Sequence, residues 1–344
     1  MTDLPRLRVL HLTGSAVSAE LDDLSRLYAA DCLAATADPT RYDFHVAHVS
    51  PDGRWRFPAD LSDEALAAAD PVPLGEALDR VAGLQVDVVV PQMFCLPGMT
   101  VYRGLFDVLG LPYAGNPSSV MALGADKAKA RAVVAAAGVS VPPGRLVYPG
   151  DPVEFEAPVV VKPVDADNSA GVTLVRQADE LPGALEAAFA HSGGALVETY
   201  VELGREVRCG ILEHDGELVG LPLEEYRVDT ATKPIRLADD KLRRNETGGL
   251  ELVAKDVDHA WIVYPDDPVT AAVHAAAKQC HTALGCRDYS LFDFRVDPDG
   301  EPWFLEASLY NSFSAKSVLV MMAAAAGIEL PELFATTLHR AAAR

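Results

Sequence analysis

The sequence predicts a mixed α/β (α+β) protein of more than one domain, and three observations carry that prediction. The chain has 344 residues, 49% apolar and 23% charged, enough for two or three cores of ordinary globular composition. Segments of helical periodicity, such as residues 22–35 and 269–284, are interleaved with short apolar runs such as 86–90. The run at 86–90 is continuously apolar, as a strand covered on both faces should be. The third observation is a hairpin pattern near the end of the chain. Phe292, Phe294 and Val296 alternate with polar positions, Asp299-Gly300 is a turn dipeptide, and Trp303, Phe304 and Leu305 resume the apolar strand.

The first domain is expected over residues 1–116. Residues 8–12 read as a buried strand ending at Thr13-Gly14-Ser15, followed by the helix at 22–35 and strands at 44–49 and 86–90. Residues 105–109 close a helix that Gly110 caps, ahead of a short strand at 112–114. A second unit is expected over 117–198. It has a helix at 126–137 ended by Gly138, strands at 159–163, 172–175 and 195–198, and a helix at 184–190. That order suits a small antiparallel sheet with two helices against it. Residues 199–344 form the third unit, with strands at 206–212 and 218–223, a helix at 269–284, the hairpin, and helices at 317–326 and 331–341. Between them runs a polar segment, 227–255, containing Gly248-Gly249. Polar stretches of that length are typically lids, binding loops or disordered segments, and a mobile loop is expected there.

Composition excludes several classes of function. A formal charge of −21 offers no basic face to nucleic acid. The longest apolar run, 318–328, is too short to cross a membrane, and the beginning of the chain lacks the pattern of a signal peptide. Five scattered cysteines make no disulfide framework, and Cys280 and Cys286 are spaced wrongly for a zinc knuckle. Reduced thiols in a cytoplasmic protein are expected. In so acidic a chain, any phosphate would need lysines gathered locally against the overall field.

The hairpin places Asp293 and Glu306 on neighbouring strands among large apolar residues. Two ionised carboxylates so held repel each other and lose hydration, and a hard divalent cation compensates both effects. The alternative is a pair of carboxylates on the solvated face of an edge hairpin. Lys162 ends an apolar strand and leads into a loop of small residues, Asp165 to Gly171, whose backbone can approach an anion closely. Lys127 could bring a second cation from a separate helix. Glu198, at a strand end before Thr199-Tyr200-Val201, could border a flat heterocycle. Each has a plainer alternative: a polar turn, a solvent-facing helix lysine, a strand-end carboxylate.

Taken together and in order, these segments resemble the ATP-grasp fold, and within it the D-alanine–D-alanine ligase branch. The matching text is Asp126-Lys127, Val160-Val161-Lys162-Pro163, Asn168-Ser169-Ala170-Gly171-Val172, Leu196-Val197-Glu198, Gly204-Arg205-Glu206-Val207, Gly285-Cys286-Arg287-Asp288-Tyr289, Asp293-Phe294-Arg295 and Phe304-Leu305-Glu306. It spans roughly residues 85–330. The resemblance implies three domains, with ATP held between two sheets. It implies phosphate contacts from Lys127, Lys162 and the loop lysine Lys241, adenine contacts from Glu198 and Val201, and a ribose contact from Glu206. It implies Mg²⁺ or Mn²⁺ held by Asp293 and Glu306, with Ser308 standing where the family usually has asparagine. Arg287 would face the transferring phosphoryl group. Ser169 would belong to the network at the first substrate, and Ser317, beside Lys316, would meet the carboxylate of the second. An N-terminal acid would complete the first pocket, with Glu20, Asp22 and Asp23 all eligible and Asp23 taken as the candidate. ATP and two small amino-acid-like substrates would be the partners, and a homodimer is one assembly to consider.

The departures fall in the amino-acid pockets. The family's His-Gly-x-x-Gly-Glu-Asp-Gly segment is replaced by Pro91-Gln92-Met93-Phe94-Cys95-Leu96-Pro97-Gly98-Met99-Thr100. The tyrosine expected after the loop lysine is Leu242, and Tyr310-Asn311 replaces a compact Pro-Gly turn. The resulting expectation is an ADP-forming carboxylate–amine ligase of specialised biosynthesis, for which D-alanine alone is a poor substrate. The alternatives are a divergent D-alanine–D-alanine ligase of cell-wall synthesis and a non-catalytic nucleotide-binding protein.

Overall fold

The computed structural model describes residues 6–156, 158–166, 169–229, 234–235, 242–244, 250–252 and 259–344. The chain divides into two compact units, Met1–Ala122 with Tyr310–Arg344, and Leu123–Leu309. This differs from the expected third unit of 199–344, because the last thirty-five residues return to the first unit. The reason is visible in an aromatic cluster. Phe334 stands edge-on to Tyr42, Phe44 and Phe313, and stacks with His11. Burying that many rings outweighs any preference for packing near the hairpin that precedes them in sequence.

In the first unit the strands are β1 (Leu7–Gly14), β2 (Tyr42–Val49), β3 (Trp55–Arg56) and β4 (Val88–Pro91), in the sheet order β3-β2-β1-β4. β1 pairs in parallel with β2 and β4, and β3 closes the edge antiparallel. As the apolar runs require, β1 and β4 are buried almost throughout. The helices are α1 (Ala19–Thr36), α2 (Asp63–Ala68), α3 (Leu74–Leu84), α4 (Leu96–Met99) and α5 (Val101–Leu109). Ser18 caps α1 by accepting the Leu21 N–H. Gly110 ends α5 in the left-handed conformation, as expected. The short strand expected at 112–114 is a single parallel bridge between Tyr113 and Val89. α6 (Ser118–Ala125) spans the boundary of the two units.

The second unit holds two large sheets. The first, in the order β5-β8-β6-β7, joins β5 (Gly144–Val147), β6 (Val159–Pro163), β7 (Thr173–Val175) and β8 (Ala195–Thr199), all antiparallel. α8 (Leu181–Phe189) covers it, burying Ala184 and Ala188 against Val161 and Val197. The sequence expected a second helix there. α7 (Lys127–Ala136) instead packs against the hairpin and the helix of the other sheet.

That other sheet runs β14-β11-β9-β15-β16, with β10 also paired to β9. Its strands are β9 (Arg205–His214), β10 (Glu217–Gly220), β11 (Glu224–Tyr226), β14 (Ala260–Ile262), β15 (Tyr289–Val296) and β16 (Pro302–Ala307). β12 (Leu242–Arg244) and β13 (Leu250–Leu252) form a separate antiparallel pair, and α9 (Pro268–Leu284) packs on β9 and β15. Most of the segment expected as a mobile loop, 227–255, lies outside the described residues. α10 (Val318–Ala325) and α11 (Leu330–Ala342) complete the first unit.

Candidate active site

The predicted hairpin forms as β15 and β16, and its register sets Asp293 directly opposite Glu306. A β-bulge follows between Asp293 and Phe294, which shifts the pairing and re-aims the side chains beyond it. Because side chains alternate along a strand, Arg295 shares the face of Asp293, and on the neighbouring strand Glu206 and Arg208 share one face as well. β9 pairs with β15 so that Arg208 meets Asp293 and Glu206 meets Arg295.

Both meetings are ion pairs. Arg208 donates from Nε and Nη2 to the two oxygens of Asp293, at 2.5 and 3.0 Å. Burial works against the arginine's charge, but the Asp293 carboxylate holds its pKa well above the ordinary value. Arg295 donates from Nη2 to Glu206 at 2.7 Å and to the Pro234 carbonyl at 2.8 Å, and from Nη1 to the Val201 carbonyl at 3.2 Å. Its guanidinium lies 5.1 Å from the Tyr200 ring centre.

The facing sheet supplies Lys162, and helix α7 supplies Lys127. Lys162, on β6, stands two residues from the register position opposite Glu198 on β8, so the two share a face. Its Nζ lies 2.7 Å from the Glu198 carboxylate and donates to the Leu305 carbonyl of β16 at 3.2 Å, tying the two sheets together. Arg131 of α7 approaches the same carboxylate at 3.3 Å. Lys127 opens α7, where the helix dipole disfavours a cation. Its Nζ donates to the Ala166 carbonyl at 2.6 Å and lies 3.6 Å from Glu306.

These groups line one cleft between the two sheets of the second unit. Of the residues singled out from the sequence, Lys127, Lys162, Ser169, Glu198, Val201, Glu206, Asp293 and Glu306 all line it. Ser169 holds φ +58, an uncommon conformation for a residue with a side chain, and Gly171 takes the positive φ expected of it.

The cleft lining does not include Arg287 or Ser308. Arg287 is half-buried just before β15, and the Ser308 N–H is held by the Leu291 carbonyl at 2.7 Å. Lys241 and Asn168 lie outside the described residues. Lys316, Ser317 and Asp23 belong to the first unit. Lys316 is exposed, and Ser317 is the N-cap of α10 without a side-chain cap bond. Asp23 is exposed on α1, whereas Asp22 receives the Ser15 N–H at 3.2 Å and lies 2.8 Å from His48. Sequence reasoning missed Arg208, Arg295 and Arg131 as site residues. A signal existed for the first two, since an arginine inside an apolar strand must find a buried partner.

The donor set on the hairpin is carboxylate oxygen, which suits a hard divalent cation. Glu306 is the more open of the two acids, its side chain 30% exposed, whereas Asp293 is 4% exposed. The chemistry of the donors therefore fits magnesium or manganese on the Glu306 side.

Comparison with known proteins places this arrangement. Residues 152–339 match the family model described as D-ala D-ala ligase C-terminus. The D-alanine–D-alanine ligase of Mycolicibacterium gilvum is 30% identical, over 92% of this chain and 94% of that relative. The vancomycin B-type resistance protein VanB of Enterococcus faecalis is also 30% identical, covering 88% of this chain and 89% of that protein. Among solved structures, the VanG D-Ala:D-Ser ligase of Enterococcus faecalis superposes with a TM-score of 0.78 at 22% identity, covering 98% of this chain and all of that one. At that identity the likeness speaks for the fold. The fold, the family match and the relatives agree that this chain belongs to the D-alanine–D-alanine ligase family, ATP-dependent carbon–nitrogen ligases of the ATP-grasp fold that work with ATP and Mg²⁺.

Proposed function

We propose that this protein joins two amino-acid-like substrates through an amide bond, releasing ADP, and that D-alanine–D-alanine ligation is the activity its relatives support best. The observation that carries the reading is the cleft in which Lys127 from α7, Lys162 from one sheet, and Glu206 and Glu306 from the other converge. In a reaction of this class a carboxylate oxygen of the first substrate takes the γ-phosphoryl group of ATP. The amine of the second then attacks the acyl phosphate, and inorganic phosphate leaves with the former carboxylate oxygen.

The chain's own residues bind and neutralise more than they react. Lys127 and Lys162 would meet the phosphates, exchanging their present partners Glu306 and Glu198 for phosphate oxygens. Glu206 would meet the ribose, and Glu198 and Val201 would border the adenine. Magnesium would be held on the hairpin flanked by Glu306 and Asp293, with Ser308 close by in sequence, and when bound supplies charge neutralisation of the transferring phosphoryl group. Arg287, Ser169, Lys241, Lys316, Ser317 and Asp23 keep the roles the resemblance implies, as part of this proposal. All five cysteines are free, as in a chain kept in a reducing cytoplasm, and a cytoplasmic location is part of this proposal.

A second reading, a ligase for a different amino-acid pair in specialised biosynthesis, is favoured by one observation. Residues 93–97 carry neither the histidine nor the acids of the family motif, and Met93, Phe94 and Cys95 are buried. D-Alanine labelled with ¹⁸O in its carboxylate tests the main reading. One label per amide formed should appear in inorganic phosphate. Unlabelled phosphate would refute acyl-phosphate formation, and absence of turnover with D-alanine, but not with another pair, would favour the second reading.

A further inference from the structure

Four ionisable side chains stand in one row across the hairpin sheet. Glu224 of β11 is the register partner of Arg208 on β9, Arg208 of Asp293 on β15, and Asp293 of Glu306 on β16. The centre of the row is closed. Both carboxylate oxygens of Asp293 accept from Arg208, and the two residues are 3% and 7% exposed. The arginine is fixed from its other side too: its guanidinium carbon lies 5.4 Å from the Tyr226 ring centre, and the Tyr226 hydroxyl donates to Glu224 at 2.6 Å. Glu306, at the end of the row, is the open member, with the Lys127 ammonium 3.6 Å away.

A bidentate arginine–carboxylate pair places one N–H bond on each oxygen of Asp293, so a metal ion would have to compete for the same carboxylate. Taking Asp293 as a ligand would cost the buried guanidinium both of its bonds to that carboxylate, leaving Glu224 as its neighbouring charge, and would set a divalent charge beside it, and both are unfavourable. We propose that Arg208 is a built-in cation that satisfies Asp293, so that the loaded cleft holds a single divalent ion on the Glu306 side rather than a pair bridged by both carboxylates. Arg208 is thus a positioning residue, acting through Asp293 and not touching the nucleotide. The inference rests on the ligase reading given above.

Manganese titration tests it without turnover. The full-length protein is saturated with a non-hydrolysable ATP analogue, and electron paramagnetic resonance counts the Mn²⁺ bound per chain. It also reports whether bound ions are coupled, as ions about 3.5–4 Å apart would be. The wild type should bind one uncoupled ion. Arg208→Thr should admit a second with a coupled spectrum, and Arg208→Lys, which keeps the charge, should remain at one. Two coupled ions in the wild type would overturn the inference and leave the ligase reading standing. An Arg208→Thr protein that folds yet still binds one ion would also overturn it. No bound manganese at all would overturn both this inference and the Mg-ATP assignment. If Arg208→Thr does not fold, the wild-type count decides alone.

Discussion

Glu306 and Asp293 face each other on one hairpin but meet different surroundings, and their variants should differ accordingly. The Glu306 side chain is partly open and, among the described residues, its ion-pair neighbour is a lysine at 3.6 Å, so Glu306→Gln removes a charge without breaking a close bond to that lysine. Turnover should fall on the order of 100-fold or more, as it does when a charge-stabilising group is lost. The unfolding midpoint should stay close to that of the wild type. Near-normal turnover would remove Glu306 from the metal site. Asp293→Asn would instead weaken a buried ion pair, so a loss of stability should accompany any loss of activity.

His11 offers a pH test at the same scale. It is fully buried beside Phe44 and Phe334, and burial lowers its pKa from 6.5 to about 3. The folded chain therefore keeps the ring neutral at a pH where the unfolded chain protonates it. Between about pH 6.5 and 3 the unfolded state binds more protons, so stability falls as pH falls, by up to about 1.4 kcal/mol per unit from this group. Urea unfolding of the wild type and His11→Gln at pH 7 and pH 5 checks the sign. The wild type should lose more stability over that interval, and equal losses would contradict the account.

At the scale of elements, two glycines with positive φ separate backbone strain from steric exclusion. Gly14 ends β1 at φ +93, and a Cβ there would lie 2.1 Å from the Val49 carbonyl oxygen. Gly53 has φ +74 with nothing within 4 Å of the added atom. Gly53→Ala should cost about 1–2 kcal/mol, the conformational penalty alone. Gly14→Ala must also displace β2, so its cost should exceed that of Gly53→Ala by several kcal/mol. Similar midpoints in chemical denaturation would show that β2 yields easily.

The sequence made the strongly periodic elements legible for physical reasons. α1, α9, β1, β4 and the hairpin β15–β16 each carry enough apolar residues at one period to declare themselves. β11 was missed because Glu224-Glu225-Tyr226 has no apolar alternation, and its burial comes from pairing with β9 and β14. The lysines and acids of the cleft were legible through their family spacing. Arg208 and Arg295 were not, since their importance arises from cross-strand partners about ninety residues away, a distance that no local window spans.

For the whole molecule, the apportioning of the last thirty-five residues to the first unit was the part least accessible to sequence, because it depends on which aromatic surfaces meet. The family relation covers 92% of the chain, while the departures concentrate at residues 91–100 and in the loop after Glu306. Nucleotide machinery and substrate pockets therefore make separable claims. Coupled measurement of ADP release and dipeptide formation, with Mg-ATP and D-alanine as the only amino acid, tests the central one most directly. The account predicts ADP and D-alanyl-D-alanine in equal amounts, at a rate on the order of 10 s⁻¹. ADP release without a new amide, or no ADP at saturating D-alanine, would contradict it.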